Sequence, residues 1–242
     1  MTWIKRAGVI LFWLAVWQAA YMLIGSDIIF ASPADTIAAL VRLMGTGEFY
    51  AVIGLSFLRT AAGFLAGALT GFVLGGLAAG IGTAKALLKP VIDIVRAAPV
   101  ASFIILALVW IKTGFIPVFI SFLTVTPIVW SAVLTGLDNT DLKLLEMAKV
   151  FEYSRITKIR KLYIPTLIPY IKTAMVTGAG FAFKSGVAAE IIASPELSIG
   201  RSLQEARIYF ETAELLAWTA VIIVLSMIFE KLLIRAVGRK NV

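Results

Sequence analysis

Two ionisable residues, Lys184 and Glu190, interrupt an apolar run of the sequence that is rich in glycine and alanine. A charged side chain at membrane depth is costly, and it usually faces the protein interior or a water-filled path. Six residues of helix place these two about 240° apart, so they do not share one face. Both are candidate lining residues of a path, in which Lys184 would favour an anion. The alternative is structural: Glu190 lies at the outer rim, and Lys184 pairs with another helix or extends to the headgroups.

The sequence lacks the residues that most catalytic and metal sites need. It contains neither cysteine nor histidine, which removes thiol chemistry, imidazole acid–base chemistry and most zinc sites. The stretch GAGFAFKS has phosphate-loop spacing between Gly178 and Lys184. Phe183, however, takes the place of the second glycine, whose backbone would close on the phosphates. We therefore predict no catalytic residue, no metal and no cofactor in this chain.

The composition indicates an integral membrane protein. Hydrophobic residues make up 60% of the 242 residues and charged residues 15%, whereas soluble domains carry about 25% charged residues. A span needs about 20 mostly apolar residues. We predict an all-α polytopic fold in a single domain, 1–242, with its core at 52–235. Six spans are predicted at 8–25, 52–82, 98–112, 115–136, 164–192 and 213–235, the third being short and bent by Pro99.

The distribution of basic residues predicts the orientation. With the N-terminus in the cytoplasm, most of the 22 lysine and arginine residues lie in cytoplasmic segments, Arg96 among them. Both termini are then cytoplasmic. The net charge of +8 is explained by membrane-flanking residues, and we predict lipid rather than nucleic acid as its partner. Arg59 is expected to reach out of the outer end of its span, and Lys172 out of the inner end.

Two further patterns predict local structure. Gly63, Gly67, Gly71 and Gly75 recur at every fourth position of the second span, a spacing that lets helix backbones approach closely in lipid. Outside the membrane, Ser32 followed by proline is typical of a helix start. A second Ser-Pro pair at 194–195 predicts another short outer helix.

A basic, amphipathic segment separates two of the predicted spans. The stretch LEMAKVFEYSRITKIRKLYIPTLIPY begins at Leu145 and ends at Tyr170. Residues 138–140 favour a helix start just before it, and Ser154 can cap a second short helix. This predicts a helix–turn–helix at the cytoplasmic membrane face, over 138–163. Such an element either docks into a groove on a partner or is a basic loop held by lipid headgroups.

The same segment resembles the cytoplasmic signature of ABC importer permeases, E-A-A-x3-G-x9-I-x-L-P. Glu146 matches the glutamate, and Pro165 matches the proline at the correct distance. Glu152 stands at the glycine position, where the family turns between two helices. The stretches SPADTIAAL, SFLRTAAGFLAG, VRAAPVASFIILALVW and VAAEIIAS are similar to the nitrate/sulfonate/taurine branch, so the resemblance covers about residues 30–235.

The resemblance implies the type I ABC importer permease fold and a transport role in a bacterial plasma membrane. It implies three partners: separate ATPase subunits that bind ATP and Mg²⁺, an extracytoplasmic binding protein, and a second permease copy in a homodimer. It also implies the residues of a coupling helix that contacts the ATPase: Asp141, Leu145, Glu146, Met147, Ala148, Phe151, Glu152, Ser154, Leu162 and Pro165.

Two other functions fit the residues alone. A stand-alone channel or ion-coupled carrier would use Lys184 and Glu190 in its path, although the sequence shows none of the internal repeats common in carriers. A membrane scaffold would use the basic face to bind anionic lipid or a soluble partner. Transport by the lone chain without ATP would identify the carrier. A scaffold would keep working after residues 141–161 were scrambled at constant charge.

Overall fold

The computed structural model describes residues 3–237, without the side chains of residues 3, 4, 6 and 237. All regular structure in this part of the chain is helical, which confirms the predicted all-α class. The α-helices are α1 Trp3–Ile24, α2 Pro33–Met44, α3 Gly47–Gly80, α4 Gly82–Ala97, α5 Val100–Ala107, α6 Ile116–Asp138, α7 Leu142–Val150, α8 Arg155–Lys158, α9 Ile164–Ala193, α10 Ile199–Ile208 and α11 Thr212–Val237. A π-helical turn, Ile159–Tyr163, joins α8 to α9 without a break.

Five stretches of helix are long and apolar enough to cross a membrane: α1, α3, α6, α8 through α9, and α11. The third predicted span, at 98–112, is not one helix. The α4 and α5 helices meet there at an angle of 101°, and α5 ends after Ala107. Pro99 causes the break, because proline disfavours helical backbone at the preceding residue and Ala98 is accordingly extended.

The short helices α2 and α10 each begin at a serine that caps the helix. Ser32 accepts a hydrogen bond from the backbone N–H of Asp35 and starts α2. The second Ser-Pro pair, at 194–195, does not start a helix as predicted. Ser194 ends α9 in the left-handed conformation, with φ of 45°, and α10 is capped by Ser198. The proline after Ser194 prevents that residue from continuing the helix.

The core is built around α6, which packs between α3 and α9. The four spaced glycines of α3 face α6 at backbone distance. A Cβ on Gly67 would lie 2.7 Å from the carbonyl oxygen of Phe122, and one on Gly71 would lie 2.6 Å from that of Thr126. A Cβ on Gly63 or Gly75 would also collide with α6. Small residues therefore set the separation of the two helices.

The α11 helix packs against this core through Phe229, whose ring contacts Phe57 and Phe64 of α3 edge-on at centroid distances of 5.3 and 5.5 Å. The opposite surface of α3 is apolar and exposed. Its outward residues include Leu58, Leu65, Leu69 and Phe72. The apolar composition of this surface suits contact with lipid tails.

Replacing Gly71 by alanine tests the α3–α6 contact. We expect Gly71→Ala to lower the stability of the detergent-solubilised chain by about 1–3 kcal/mol, because overpacking shifts two backbones apart. The measurement is the thermal aggregation midpoint by size-exclusion chromatography. Gly76→Ala is the matched control on the same helix, since its Cβ would meet nothing within 4 Å. If Gly71→Ala and Gly76→Ala have the same aggregation midpoint, the close contact between α3 and α6 is refuted.

Candidate functional sites

A buried carboxylate on α9 holds together the end of the bundle nearest to α10. Glu190, on α9, is 1% exposed. Its Oε2 accepts a hydrogen bond from Ser56 Oγ on α3 at 2.8 Å and from the backbone N–H of Gly200 at 3.3 Å. Its Oε1 lies 3.6 Å from the Arg59 guanidinium. Gly200 fits only without a side chain, because a Cβ there would collide with Glu190.

Arg59 does not reach outward to the headgroups as the sequence predicts. Its guanidinium donates hydrogen bonds to the backbone carbonyls of Glu196 and Leu197, at 3.0 and 3.1 Å. Leu197 has a left-handed backbone, with φ of 47°, which costs a branched residue free energy. The arginine and the Glu190 carboxylate together fix the α9–α10 loop against α3. Sequence reasoning could have suggested the pairing, because ionisable residues inside a span usually have a partner.

Lys184 lies on a different face of α9 from Glu190, and the structure does not bring the two together. Glu190 is interior, whereas Lys184 is exposed and shares its strip of α9 with Thr177 and Phe181. No acidic residue in the described part of the chain lies within ion-pair distance of Lys184. Of the two candidate path residues, only Lys184 faces outward from this chain.

Hydroxyl groups continue the strip towards the end of α9 that joins α8. A cavity of about 500 Å³ lies between α6 and α9. The hydroxyl residues that line it are Ser131, Thr135, Tyr170, Thr173 and Thr177. Ser131 Oγ is buried without a hydrogen-bond partner among the described residues. Hydroxyls at membrane depth need hydrogen-bond partners, so this face suits water, solute or another protein surface better than lipid tails.

The basic segment between α6 and α9 forms two helices, α7 and α8, joined by a tight turn. Asp141 caps α7, later than the predicted start at 138–140, and its Oδ1 accepts from the N–H of Lys143 at 2.8 Å. Ser154 caps α8 and accepts from the N–H of Thr157. Lys161 places its ammonium 5.8 Å from the centre of the Tyr153 ring, which adds a contact across the turn.

Glu152 occupies the turn with a glycine-like backbone, at φ of 50°. The N–H of Tyr153 bonds to the carbonyl of Ala148 at 2.9 Å, and that of Glu152 to the carbonyl of Lys149 at 3.1 Å. These two bonds form a Schellman motif, whose left-handed position is usually glycine. The turn is therefore retained with glutamate, at roughly 1–2 kcal/mol of backbone strain.

The candidate coupling residues divide into an inner and an outer set. Ala148 is 0% exposed, Leu162 is buried, and Leu145 and Met147 are half-buried. Phe151 is 68% exposed at the end of α7. The other exposed candidates are Asp141, Glu146, Glu152, Ser154 and Pro165. We define the α7 patch as Leu142, Val150, Phe151 and Ile156, four apolar side chains that this segment exposes.

These features define a multi-pass membrane protein that has a polar strip on one of its long apolar helices and an exposed apolar patch at one end. Residues 67–240 match the family model described as the binding-protein-dependent transport system inner membrane component. The chain belongs to this family, and it is a transmembrane transport subunit of a binding-protein-dependent system. Membership confirms the resemblance to ABC importer permeases.

Characterised relatives lie in the predicted branch. The chain is 25% identical over 231 residues to the taurine transport system permease protein of Escherichia coli, covering 93% of this chain and 83% of that protein. It is 28% identical over 194 residues to the nitrate import permease protein of Synechococcus elongatus, covering 74% and 68%.

Solved structures share the fold. The crystal structure of an amino acid ABC transporter with histidines superposes with a TM-score of 0.66 at 17% identity, over 80% of this chain and 94% of that one. A bacterial ABC transporter involved in the import of the acidic polysaccharide alginate gives 0.64 at 16% identity, over 98% and 96%. At these identities the likeness establishes the fold alone.

Removing the Glu190 carboxylate tests the cluster that it forms with Ser56, Arg59 and Gly200. We expect Glu190→Ala to destabilise the solubilised chain by about 3–5 kcal/mol, because it leaves the Arg59 charge without its buried partner. Glu205→Ala is the control, since that carboxylate forms an exposed ion pair with Arg201 and should cost less than about 1 kcal/mol. Thermal unfolding of both proteins is the measurement.

A double variant separates the charge from the packing at this cluster. Arg59→Met combined with Glu190→Gln removes both charges and should recover part of the loss. If Glu190→Ala and Glu205→Ala unfold at the same temperature, the buried Arg59–Glu190 pair does not stabilise this end of the bundle.

Proposed function

We propose that this chain is the permease subunit of an ATP-driven importer for a small organic or inorganic anion. Two copies of the chain form the path, separate ATPase subunits bind ATP and Mg²⁺ on the cytoplasmic side, and an extracytoplasmic binding protein delivers the solute. Both termini face the cytoplasm. The observation that carries the proposal is the α7 patch, an apolar surface on an otherwise basic segment that is joined to a membrane-spanning helix.

The α7 patch suits an ATPase cleft because of what it exposes and what it buries. An amphipathic helix binds a groove through a few apolar anchors on one face. Phe151 and Val150 are exposed and available for this contact. Ala148 and Leu162 are buried in this chain, so they shape the two-helix element rather than touch a partner. The coupling role of the segment is thus divided between contact residues and support residues.

Motion of α7 would reach the membrane through α9. Residues 155–193 form one uninterrupted stretch of helix that runs from the cytoplasmic turn to the Glu190 cluster. When ATP closes the ATPase pair, the docked segment moves, and each nucleotide state favours the permease conformation that it contacts better. The hydroxyl-lined cavity between α6 and α9 is then open to the other side of the membrane.

The anionic substrate class is supported by Lys184 and by the relatives. Taurine and nitrate, which the names of two relatives specify, both carry an anionic group. Lys184 is a cation on the polar face of α9 with no acidic neighbour in the described chain. A fixed positive charge in a low-dielectric passage favours an anion over a cation or a neutral solute.

Introducing a negative charge into the apolar α7 patch tests the coupling. We expect Phe151→Glu to reduce co-purification of the ATPase and ATP-dependent uptake by about tenfold or more, because a buried aromatic anchor is worth more than 1.4 kcal/mol. Uptake in proteoliposomes of the full transporter is the measurement, with ATPase recovery measured in parallel. Lys85→Glu, an equally cytoplasmic and exposed position on α4, is the control.

Two results would overturn the proposal. Coupled uptake that is unchanged in Phe151→Glu would remove the α7 patch from the ATPase contact. Uptake by the purified chain alone, in vesicles without ATP, would identify a stand-alone channel or carrier instead.

Neutralising Lys184 tests its part in the path. In the same proteoliposomes we expect Lys184→Met to lower the rate of anion uptake by about tenfold while ATPase assembly is unchanged, because the passage loses its attractive charge. Added salt screens the charge, so the uptake rates of Lys184→Met and of the natural chain should differ less at high salt. Lys112→Met, in the exposed segment between α5 and α6, is the control. Unchanged anionic uptake in Lys184→Met would place the residue outside the path.

A further inference from the structure

Three consecutive apolar side chains are exposed where α10 ends and the chain turns into α11. Ile208, Tyr209 and Phe210 each expose more than half of their surface, and we call these three residues the α10 tip. The loop before α2 lies beside the tip, because Thr212 donates a hydrogen bond to the backbone carbonyl of Ile28. Ile28 is exposed as well. The tip is thus part of an apolar surface that the described helices leave uncovered.

Phe210 has a backbone conformation that a large side chain rarely adopts. Its φ is 60°, in the left-handed region. The N–H of Glu211 bonds to the carbonyl of Ala206 at 2.8 Å, and that of Phe210 to the carbonyl of Arg207 at 3.3 Å. These are the bonds of a helix end at which the left-handed residue is usually glycine. Because the ring is exposed, packing within this chain does not offset the strain, which indicates that the ring acts on a partner.

A cleft of about 260 Å³ lies next to the tip, with Tyr209 among its lining residues. Phe49 and Trp218, whose ring centres are 5.2 Å apart, contribute an apolar part of the lining. The carboxylates that line it belong to Glu48, Glu205, Glu211 and Glu214. Aromatic rings beside carboxylates suit the long side chain of a lysine or an arginine, which has an aliphatic stem and a positive charge.

Two of the four carboxylates can still accept a positive charge. Glu205 is paired with Arg201, and Glu214 with Arg42. Within residues 3–237, no basic side chain lies at ion-pair distance from the other two carboxylates, which are exposed. The cleft therefore keeps an excess of negative charge.

The whole end of the bundle around the tip is acidic. The helix α10 packs against α9 and α11, and α2 packs against α11, so segments 26–59 and 190–214 meet there. These segments hold eight of the 14 acidic residues and only four of the 22 basic residues. The chain as a whole has a net charge of +8. An acidic surface repels anionic lipid headgroups and attracts a basic protein surface.

The α10 tip and the α7 patch lie at opposite ends of α9. This helix has 30 residues and is about 45 Å long, with α8 before it and α10 after it. If the α7 patch contacts the ATPase in the cytoplasm, as proposed above, the α10 tip lies on the extracytoplasmic side. That is the side from which the binding protein delivers the solute.

We propose that the α10 tip and the adjoining cleft form the docking surface for the binding protein, which presents a lysine or arginine surrounded by apolar side chains. The inference rests on the proposed import function and adds to it the contact residues and the charge of the partner. Tyr209 and Phe210 are the aromatic anchors of this interface. The basic side chain of the partner enters the cleft, where its charge meets Glu48 and Glu211.

Binding between the two purified components tests the anchors. The permease–ATPase complex is held in phosphatidylcholine nanodiscs, and the probe is the binding protein that supports uptake by this transporter, followed by biolayer interferometry. We expect Phe210→Gly to weaken binding about tenfold or more, because an aromatic anchor is lost. The same variant should not lower the thermal aggregation midpoint, since glycine adopts the left-handed backbone without strain. Tyr209→Ala should weaken binding as well.

Reversing a charge in the cleft tests the charge of the partner. Glu211→Lys should slow association roughly threefold, because the cleft then attracts a basic surface less strongly. Added salt should slow association with the natural complex more than with this variant. Glu230→Lys makes the same change of net charge at an exposed position towards the other end of α11, and it should leave the association rate unchanged.

Three results would overturn the inference. If Phe210→Gly and Tyr209→Ala both bind as tightly as the natural complex, the tip is outside the contact. If association is faster in Glu211→Lys or at high salt, the partner surface is not basic. If p-benzoylphenylalanine introduced at Tyr209 cross-links only to phospholipid, the tip lies in the membrane surface.

Uptake in proteoliposomes separates this inference from the proposed function. Uptake by the natural transporter that needs no ATP refutes the proposed function. ATP-dependent uptake, together with binding that none of the three cleft and tip variants weakens, refutes only the docking surface.

Discussion

The close approach of α3 to α6 is the contact on which the rest of the structure depends. In lipid, helices gain no hydrophobic free energy by associating, so packing and interhelical polar contacts hold them together. Glycine at every fourth position of α3 brings the backbone against the carbonyls of Phe122 and Thr126 on α6. The long contact this creates gives α6 a fixed position. The other face of α6 then receives α9, and α11 closes the group through Phe229.

The α9 helix links the two ends of the molecule because it is anchored differently at each. At its C-terminal end, the Glu190 carboxylate and the Arg59 guanidinium join it to α3 and to the loop before α10. At its N-terminal end, it continues through the π-helical turn into α8 and the α7 patch. A displacement of α7 and α8 therefore acts on a helix whose far end is held by charge and hydrogen bonds. This arrangement is well suited to transmit a movement across the membrane.

Polarity distinguishes the faces of the bundle more clearly than burial does. Both α3 and α9 expose large parts of their surfaces, but α3 exposes leucine and phenylalanine, whereas one strip of α9 exposes Thr173, Thr177 and Lys184 beside Phe181. The first composition suits lipid tails, and the second suits water, solute or a second protein surface. The broken span between α4 and α5 adds Arg96 near the same side. Irregular backbone at membrane depth is tolerated where it lines a cavity, which is what this break does.

Features that depend on local pattern were predictable from the sequence. The apolarity of the long helices, the start of α2 at Ser32 and the two-helix form of the segment between α6 and α9 each arise within a few turns of chain. The signature around Glu146 identified the family, because its residues are fixed by spacing. The glycine at its turn was the exception, since only backbone geometry shows that Glu152 takes the left-handed position there.

The sequence by itself determined five of the long apolar helices and the family to which the chain belongs, since hydropathy and motif spacing are properties of the sequence alone. Only the tertiary structure decided the surroundings of the charges. Arg59 and Glu190 lie far apart in sequence yet share one cluster, and the bend between α4 and α5 places Arg96 beside α6. Periodicity shows which face of a helix a residue lies on, but not which helix covers that face. For charges in a membrane, the covering helix determines whether the residue is structural or lines a cavity.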